Sequence, residues 1–332
     1  MTKAFTDENI NKFFYENGFV KHGQIDKKTV DDLINLSENL KIPDFVGCDF
    51  NCGMNSDIYD ARKAMQDNLT NILMPFFEPL LDNYSSYSSS FVNKNPNDKF
   101  LILAHQDFSY TREPEIPSIM CWIPLVDVDI NNGAIGFIPK SHLMYDYNRA
   151  FPFPAYYTPV VKNEIELMNY VKIIDMKAGE MVFFMNNTIH GSFANYTDKV
   201  RYAININFVK KGEKIYAYIR NPKTDGATLL KYEVDKYFLV RHNNPTFLEM
   251  YKNGKIELPE KPTEEVPFGN YDTSWSAVKQ KLDELNIKEE ARNKTYVDKF
   301  KRQQFNHKIK EKIYYSLLKL NPFRKETANQ AS

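Results

Sequence analysis

Three side chains in this 332-residue chain have the types and spacing of a mononuclear metal site. His105 and Asp107 lie two positions apart in the apolar stretch LILAHQDF, and His190 lies in NNTIHGSF. Side chains two positions apart on a strand share a face, so His105 and Asp107 are expected to point into the same space. An H-x-D tripeptide by itself is more often a structural ion pair, so the metal interpretation depends on what accompanies it.

The segment 186–208 predicts a β-hairpin that brings further polar groups to this space. Apolar residues alternate on both sides of the turn-like NYTD at residues 195–198. With these four residues as the loop, Ser192 pairs with Arg201 and His190 pairs with Ala203. Arg201 then lies diagonal to His190, at roughly 7–8 Å, which a long side chain can bridge. We therefore expect an imidazole, a hydroxyl and a guanidinium to converge.

Two imidazoles and one carboxylate form the facial triad that binds Fe(II) and leaves three adjacent coordination positions open. A structural zinc site would use a fourth protein ligand, so the open positions indicate chemistry on bound molecules. The planar guanidinium of Arg201 suits the distal carboxylate of a dicarboxylate that chelates the metal by its other end. Ser192 can add a hydroxyl donor to the same carboxylate. These requirements describe 2-oxoglutarate.

The elements around these residues predict a mainly β fold with flanking helices. Residues 1–40 contain two amphipathic helical patterns, the first ending at Asn17-Gly18. From about residue 86 to residue 209, short β-prone runs alternate with turn clusters, which is typical of a sandwich or barrel. Residues 253–275 are rich in Pro, Gly and acids and predict a surface loop, and residues 276–320 predict helix again.

Several of these motifs together resemble the phytanoyl-CoA dioxygenase family of Fe(II)/2-oxoglutarate oxygenases. They are the H-x-D of AHQDF, the H-x-S of IHGSF, Arg201 eleven residues beyond His190, and the intervening NNGAIGFIPKSH. The N-terminal NINKFFYENGFV is similar to the opening helix and strand of that family, and the resemblance spans about residues 5–210. It implies a double-stranded β-helix, the cupin-like jelly roll, with helices packed outside.

The resemblance also implies roles for individual residues. Iron ligation is carried over to His105, Asp107 and His190, and 2-oxoglutarate binding to Arg201 and Ser192. Trp122 resembles an aromatic residue often found beside the cosubstrate. The family also places a polar residue on a strand before the H-x-D to meet 2-oxoglutarate, and Asn93 and Lys94 in SFVNKNP are the two candidates.

Three residues that follow the H-x-D are candidates for substrate contact. Phe108, Tyr110 and Arg112 should lie on the rim of the barrel, where they would line a substrate pocket or pack in the rim itself. Sequence rules do not read substrate specificity from such positions. The identity of the substrate therefore stays open at this stage.

The predicted function is oxidation of a small organic metabolite, in a biosynthetic pathway, with Fe(II), 2-oxoglutarate and O2. Succinate and CO2 are the expected coproducts. Hydroxylation is the commonest outcome in the family, and desaturation and oxidative cyclisation stay open. Two alternatives are a metal-binding cupin that uses zinc or manganese without this redox chemistry, and a membrane-associated interaction protein. Arg201 argues against the cupin, because such a protein does not need an anchor for a dicarboxylate.

Charge and composition limit the partners. Forty-three basic residues balance forty-three acidic ones, so no net charge attracts nucleic acid. No apolar run has the length of a signal peptide or a membrane span, which predicts a cytoplasmic location. Cysteines 48, 52 and 121 are odd in number and lack zinc-knuckle spacing, so we expect free thiols.

The C-terminal stretch 292–326 predicts a basic amphipathic helix. It contains eleven Lys or Arg against three Asp or Glu, with apolar residues at helical spacing, namely Phe305, Ile309, Ile313, Leu317 and Leu320. Such a helix usually packs on its own core or on a second subunit, and docking on an anionic membrane surface is the alternative. We therefore divide the chain into a dioxygenase domain, 1–210, and a strand, loop and helix extension, 211–332.

Overall fold

The computed structural model describes residues 2–40, 50–56, 58–97, 101–151, 160, 162–224, 227–242, 258–269 and 271–304. Two compact units divide the chain, 1–289 and 290–332. In the second unit, residues 293–304 are helical. The apolar stripe predicted from Phe305 to Leu320 lies outside the described residues, so the docking of that helix stays a prediction. Within the described part of the chain, no helix is both long enough and apolar enough to cross a membrane.

The helices of the first unit are interspersed among the strands along the chain. Their bounds are α1 (Glu8–Asn17), α2 (Lys27–Asn39), α3 (Tyr59–Phe77), α4 (Glu164–Leu167), α5 (Phe238–Arg241) and α6 (Trp275–Glu284). The two helices predicted within residues 1–40 are confirmed. The side chain of Asp7 caps α1 by accepting hydrogen bonds from the amides of Asn9 and Ile10, and the helix ends at Gly18.

Two antiparallel sheets form the core of the molecule. The larger has the strand order β1-β8-β5-β10-β3-β2 and the smaller has the order β4-β9-β6-β7. The strands of the larger sheet are β1 (Phe19–Gln24), β2 (Phe50–Cys52), β3 (Tyr84–Lys94), β5 (Ile119–Pro124), β8 (Glu180–Met185) and β10 (Ala203–Lys210). Those of the smaller are β4 (Ile102–His105), β6 (Ile135–Phe137), β7 (Lys172–Ile173) and β9 (His190–Ser192).

The chain repeatedly crosses between these sheets. β3, β5, β8 and β10 belong to the larger sheet, and β4, β6, β7 and β9 alternate with them in the smaller one. This alternation is the topology of a jelly roll, and it confirms the predicted fold class. A third sheet, of β11 (Ile215–Arg220), β12 (Thr228–Val234) and β13 (Glu264–Pro267), follows the core. The prediction of a loop across residues 253–275 is wrong at β13, because residues 264–267 add an edge strand to β12.

Side chains of the larger sheet alternate between a helix-covered face and an interior face. On β10, Ile204, Ile206 and Phe208 join the apolar core that α1, α2 and α3 also supply. The residues between them, Asn205 and Asn207, point to the other side and line cavities. Burying one large apolar side chain contributes about 1.5–3 kcal/mol, so the helices hold one face of the sheet firmly. The other face is left for the site.

Alanine substitutions at Gly18 and Gly212 can be compared to measure how tightly the N-terminal segment packs on its neighbours. Both have a positive φ, 82° and 89°. A Cβ on Gly18 would lie 2.5 Å from His142 Nδ1 and 2.6 Å from Thr188 Oγ1, whereas one on Gly212 would meet nothing within 4 Å. We expect Gly212→Ala to cost roughly 1–2 kcal/mol of unfolding free energy from backbone conformation alone.

Gly18→Ala adds a steric clash to the same backbone cost and should destabilise the fold by roughly 3 kcal/mol or more. Chemical denaturation of the two variants beside wild type measures the difference. Equal losses of stability would show that the close approach of α1 and β1 to His142 and Thr188 does not matter.

Candidate metal centre

The two predicted imidazoles lie opposite each other on paired strands of the smaller sheet. β4 and β9 are antiparallel neighbours, and His105 is the direct partner of His190. The ring centroids are 4.3 Å apart. Asp107 lies just beyond the end of β4, so the carboxylate comes from a loop and not from the strand continuation that the sequence predicted. The three side chains nevertheless meet in one space.

The distances in this cluster suit a single bound ion. His105 Nε2 lies 3.7 Å from Asp107 Oδ1, and His190 Nε2 lies 3.6 Å from Asp107 Oδ2. One ligand atom from each of the three residues lies within 4.8 Å of the others. Asp107 Oδ2 is buried and accepts no hydrogen bond from any residue that the structure describes. A buried carboxylate oxygen without a donor is costly unless a cation balances it, and the cluster therefore fits a metal ion.

Backbone carbonyls fix the tautomer of both imidazoles. His105 Nδ1 lies 2.8 Å from the carbonyl of Leu103, and His190 Nδ1 lies 2.9 Å from that of Thr188. A carbonyl can only accept, so each Nδ1 carries the proton and each Nε2 keeps a lone pair. Burial, followed by repulsion from His105, lowers the pKa of His190 to about 4. His190 is thus neutral near pH 7, as a metal ligand must be.

A buried ion pair holds the loop that carries Asp107. The amide of Asp107 donates to the carbonyl of Asn186 at 2.8 Å, and its own carbonyl accepts from Arg149 Nε at 2.5 Å. Arg149 Nη2 lies 2.6 Å from Glu113 Oε2, and both side chains are almost fully buried. Ser109 Oγ also donates to Glu113 at 3.2 Å. Arg149 therefore acts on the carboxylate through the backbone of Asp107.

The predicted cosubstrate residues Arg201, Ser192 and Trp122 share a cavity with the triad. Arg201 is buried, Nη1 donates to the carbonyl of Val92 at 2.7 Å, and its guanidinium carbon lies 5.4 Å from the centroid of the Trp122 ring. Ser192 reaches the same space from β9. A cavity of about 430 Å³ connects them, and its lining includes His105, Asp107, Phe108, Trp122, His190, Ser192 and Arg201.

The predicted hairpin between residues 190 and 203 is wrong. β9 pairs with β4 and β6 in the smaller sheet, whereas β10 pairs with β3 and β5 in the larger one. The intervening residues cross from one sheet to the other, and the Asn195 amide donates to the carbonyls of Lys94, Asn95 and Lys199 along that crossing. Ser192 and Arg201 therefore meet across the barrel and not as neighbours in a hairpin.

Asn93 and Lys94 lie behind Arg201. Asn93 Oδ1 accepts from the amide of Ala203 at 3.2 Å, and its amide donates to Ser37 Oγ at 3.0 Å. The buried ammonium of Lys94 donates to the carbonyl of Phe193 at 2.5 Å, and its backbone exchanges two hydrogen bonds with that of Arg201. Neither residue belongs to the described lining of the cavity. Contact of either with 2-oxoglutarate stays a prediction.

The three rim candidates separate in space. Phe108 lines the main cavity, and Tyr110 lines a smaller adjoining one and packs with Tyr87 and Phe151. Arg112 points elsewhere, because its exposed guanidinium pairs with Glu213 at 3.0 Å. The structure thus brings two of the three toward the cavities.

Sequence reasoning missed several residues of the site. Met120 and Asn205 line the main cavity, and Arg149 supports Asp107. Asparagines at alternate positions of the apolar run AININFV, at 205 and 207, were the available signal, because polar side chains on one face of a buried strand require partners. Arg149 had no such signal, since Glu113 is its partner only in the folded chain.

Comparisons with known proteins agree with the geometry. Residues 55–203 match the family model described as phytanoyl-CoA dioxygenase (PhyH). A curated "Phytanoyl-CoA dioxygenase" of Arabidopsis thaliana is 29% identical over 132 residues, which cover 37% of this chain and 43% of that relative. The aligned part is thus less than half the length of the relative.

Solved structures are similar over about two thirds of the chain. The non-heme alpha ketoglutarate dependent carbocyclase SnoK from nogalamycin biosynthesis is 20% identical with a TM-score of 0.45, covering 63% of this chain and 86% of that one. HygX from Streptomyces hygroscopicus, solved with nickel, 2-oxoglutarate and hygromycin B bound, is 14% identical with a TM-score of 0.43. That alignment covers 62% of this chain and 88% of HygX.

The ion pair behind Asp107 yields a stability prediction. Arg149→Met leaves the carboxylate of Glu113 buried without its cation, which should lower the unfolding free energy by about 3–5 kcal/mol. The double variant Glu113→Leu/Arg149→Met removes both charges and should recover most of that loss. Urea denaturation of the wild type and both variants measures this. A single variant as stable as wild type, or a double variant no better than the single one, would contradict it.

Proposed function

We propose that the protein is an Fe(II)/2-oxoglutarate-dependent dioxygenase, a proposal supported by the match of residues 55–203 to the phytanoyl-CoA dioxygenase family model. One observation carries the proposal. The Nε2 atoms of His105 and His190 and the carboxylate of Asp107 converge in a cavity that Arg201 also lines. A metal-binding cupin without 2-oxoglutarate chemistry would use the same triad, but Arg201 in that cavity favours the dioxygenase.

His105, Asp107 and His190 would hold Fe(II) by two neutral imidazoles and one carboxylate. Iron bound there would, with 2-oxoglutarate and O2, supply the oxidising chemistry, with succinate and CO2 as the expected coproducts. Arg201 would bind the distal carboxylate of 2-oxoglutarate through its fork of N–H donors, and Ser192 would add a hydroxyl donor. Trp122 limits where the guanidinium can lie, because the ring and the guanidinium carbon are 5.4 Å apart.

The proposed substrate is a small organic metabolite, and the proposed outcome is hydroxylation. Desaturation and oxidative cyclisation use the same residues and differ only in the fate of the substrate. The protein contributes by placing one C–H bond close to the metal, since misplacement by about 1 Å can cost on the order of 100-fold in rate. The main cavity, of about 430 Å³, is within the size range of sites for small molecules.

Anaerobic addition of Fe(II) and 2-oxoglutarate tests the metal centre. We expect wild-type protein to develop the visible charge-transfer absorption of the chelate, and to form succinate when O2 is admitted. Asp107→Ala removes the only anionic ligand of the triad and should abolish both signals. Asp127→Ala is a matched control, since this exposed carboxylate pairs with Lys177 at 2.7 Å outside the cavity. Normal absorption in Asp107→Ala would refute the proposed iron site.

Replacement of the guanidinium tests cosubstrate binding separately from metal binding. A hydrogen bond to a charged group contributes about 1.5–3 kcal/mol, so Arg201→Met should raise the KM for 2-oxoglutarate by roughly tenfold to a hundredfold. Steady-state succinate formation at varied 2-oxoglutarate measures this. Arg302→Met, at an exposed position of the helix 293–304, serves as the control and should leave the KM at the wild-type value. Equal KM values in all three proteins would contradict the assignment of Arg201 to 2-oxoglutarate binding.

A further inference from the structure

A second cavity opens from the metal centre on the side that lacks the cosubstrate residues. Its volume is about 120 Å³, and it shares Cys52, Asp107, Phe108, Met120 and Asn205 with the main cavity. Its remaining described lining contains Met54, Ser88, Ser90, Tyr110, Asn207, Leu239 and His242, and does not contain Arg201, Ser192 or Trp122. Both cavities therefore meet at Asp107 and lead to different side chains. We call the smaller one the second arm.

The floor of the second arm is a regular polar surface on the neighbouring strands β3 and β10, with Met120 of β5 beside it. β10 lies between β3 and β5, and Asn205 is the direct partner of Ser90 and Trp122. Two positions along β10, Asn207 is the direct partner of Ser88 and Met120. Side chains two apart share a face, so the asparagines and serines point together into the cavity. Central strands hold these groups more rigidly than loops would.

The hydrogen-bonding groups on this floor are open to a ligand. Asn186 Nδ2 donates to the carbonyl of Phe108 and to Asn207 Oδ1, both at 3.3 Å. Because a carbonyl only accepts, the nitrogen end of Asn186 is fixed, and Asn207 must present its own NH2 elsewhere. Asn207 is 6% exposed and lines the second arm, so its NH2 faces the cavity.

The side chains of Ser88 and Asn205, on the same floor, also have hydrogen-bonding groups without a described hydrogen-bond partner. The hydroxyl of Ser88, at 5% exposure, makes no hydrogen bond to the described residues, and the same is true of the Asn205 carboxamide. Ser90, by contrast, donates to the carbonyl of Phe91 at 2.9 Å and accepts from the amide of Met54 at 3.2 Å. The Ser88 hydroxyl, the Asn205 carboxamide and the Asn207 NH2 thus lie side by side on the cavity wall, where they are available to hydrogen-bond a ligand.

The described lining of the second arm disfavours anionic ligands, and its one carboxylate belongs to the proposed metal site. Its described lining contains no Lys or Arg, and Asp107 is its only carboxylate. Carboxamides and a hydroxyl both donate and accept, which matches alcohol groups, since these also do both. The rings of Phe108 and Tyr110, with centroids 6.5 Å apart, supply an apolar wall. Polar groups on one wall and aromatic rings on another suit a compact molecule with hydroxyl groups and C–H faces.

We propose that Ser88, Asn205 and Asn207 bind the oxidised substrate, and that this substrate is an uncharged, multiply hydroxylated molecule. The assignment rests on the proposed function, because it places the substrate in the arm that begins at Asp107 and leaves the arm with Arg201 to 2-oxoglutarate. Hydroxyl groups of the substrate would form hydrogen bonds with these three side chains, and these bonds would set its orientation. Its C–H bonds would then face the metal centre.

Calorimetric titration of the anaerobic Fe(II) and 2-oxoglutarate complex tests the ligand class. The probes are myo-inositol and methyl α-D-glucopyranoside as neutral polyols, D-glucuronate as a carboxylated sugar, and octanoate as an apolar acid. We expect at least one neutral polyol to bind with a dissociation constant in the millimolar range or below, and both acids to bind at least about tenfold more weakly. Tighter binding of either acid, or no saturable binding of either polyol, would overturn the proposal.

Variants on the floor test its residues. Asn207→Leu and the milder Ser88→Ala should each weaken binding of the preferred polyol by about tenfold, the equivalent of one lost hydrogen bond. Ser85→Ala, on the same strand and outside both cavities, should bind the polyol like wild type. Thermal denaturation confirms that each variant is folded. Unchanged affinity in both folded floor variants would contradict the assignment.

The same titrations separate this inference from the proposed function. If the charge-transfer absorption forms and the polyols fail to bind, the second arm has been misassigned and the iron site stands. If the absorption does not form, the proposed function fails. The polyols are then titrated into metal-free protein, where loss of binding in Asn207→Leu supports the floor as a polyol site and unchanged binding overturns it.

Discussion

The pairing of β4 with β9 is the constraint on which the site depends. It sets His105 opposite His190, and the carbonyls of Leu103 and Thr188 hold both rings with Nε2 toward Asp107. Each carbonyl belongs to the residue two positions before its histidine, so the local backbone fixes the tautomer. Three ligand atoms thus converge without a dedicated loop around each imidazole. The carboxylate needs separate support, which Asn186 and Arg149 give through the backbone of Asp107.

Much of this arrangement could be predicted from the sequence, for a physical reason. Strand alternation reports which residues share a face, and it correctly grouped His190 with Ser192 and placed Arg201 on an inward position. It does not report which sheet a strand joins. A crossing between two sheets of a jelly roll and the loop of a hairpin both appear as a short polar segment between apolar runs. The strand pairing predicted for residues 190–203 was therefore wrong, although His190, Ser192 and Arg201 do line one cavity.

The residues that escaped prediction depend on contacts distant in sequence. Arg149 and Glu113 are both charged residues of ordinary loops until folding buries them against each other behind Asp107. Lys94 looked like a candidate for an anionic ligand, but the barrel places the carbonyl of Phe193 within reach of its ammonium. Asn186 links two parts of the site, since its backbone holds Asp107 and its side chain orients Asn207. Local patterns contain no information on such pairings.

Charged side chains are distributed unequally between the two cavities at the metal centre, and this difference affects which ligand each cavity favours. In the described lining of both arms, Arg201 is the only arginine or lysine, and it lies in the main cavity alone. A dicarboxylate entering the cavity gains a charge-assisted contact at one end only. In the other arm a carboxylate would meet Asp107 and no arginine or lysine of the described lining, so its desolvation would not be offset by a permanent positive charge. Under the proposal, charge directs the anionic cosubstrate to the main cavity, and the second arm binds its ligand by hydrogen bonds and shape.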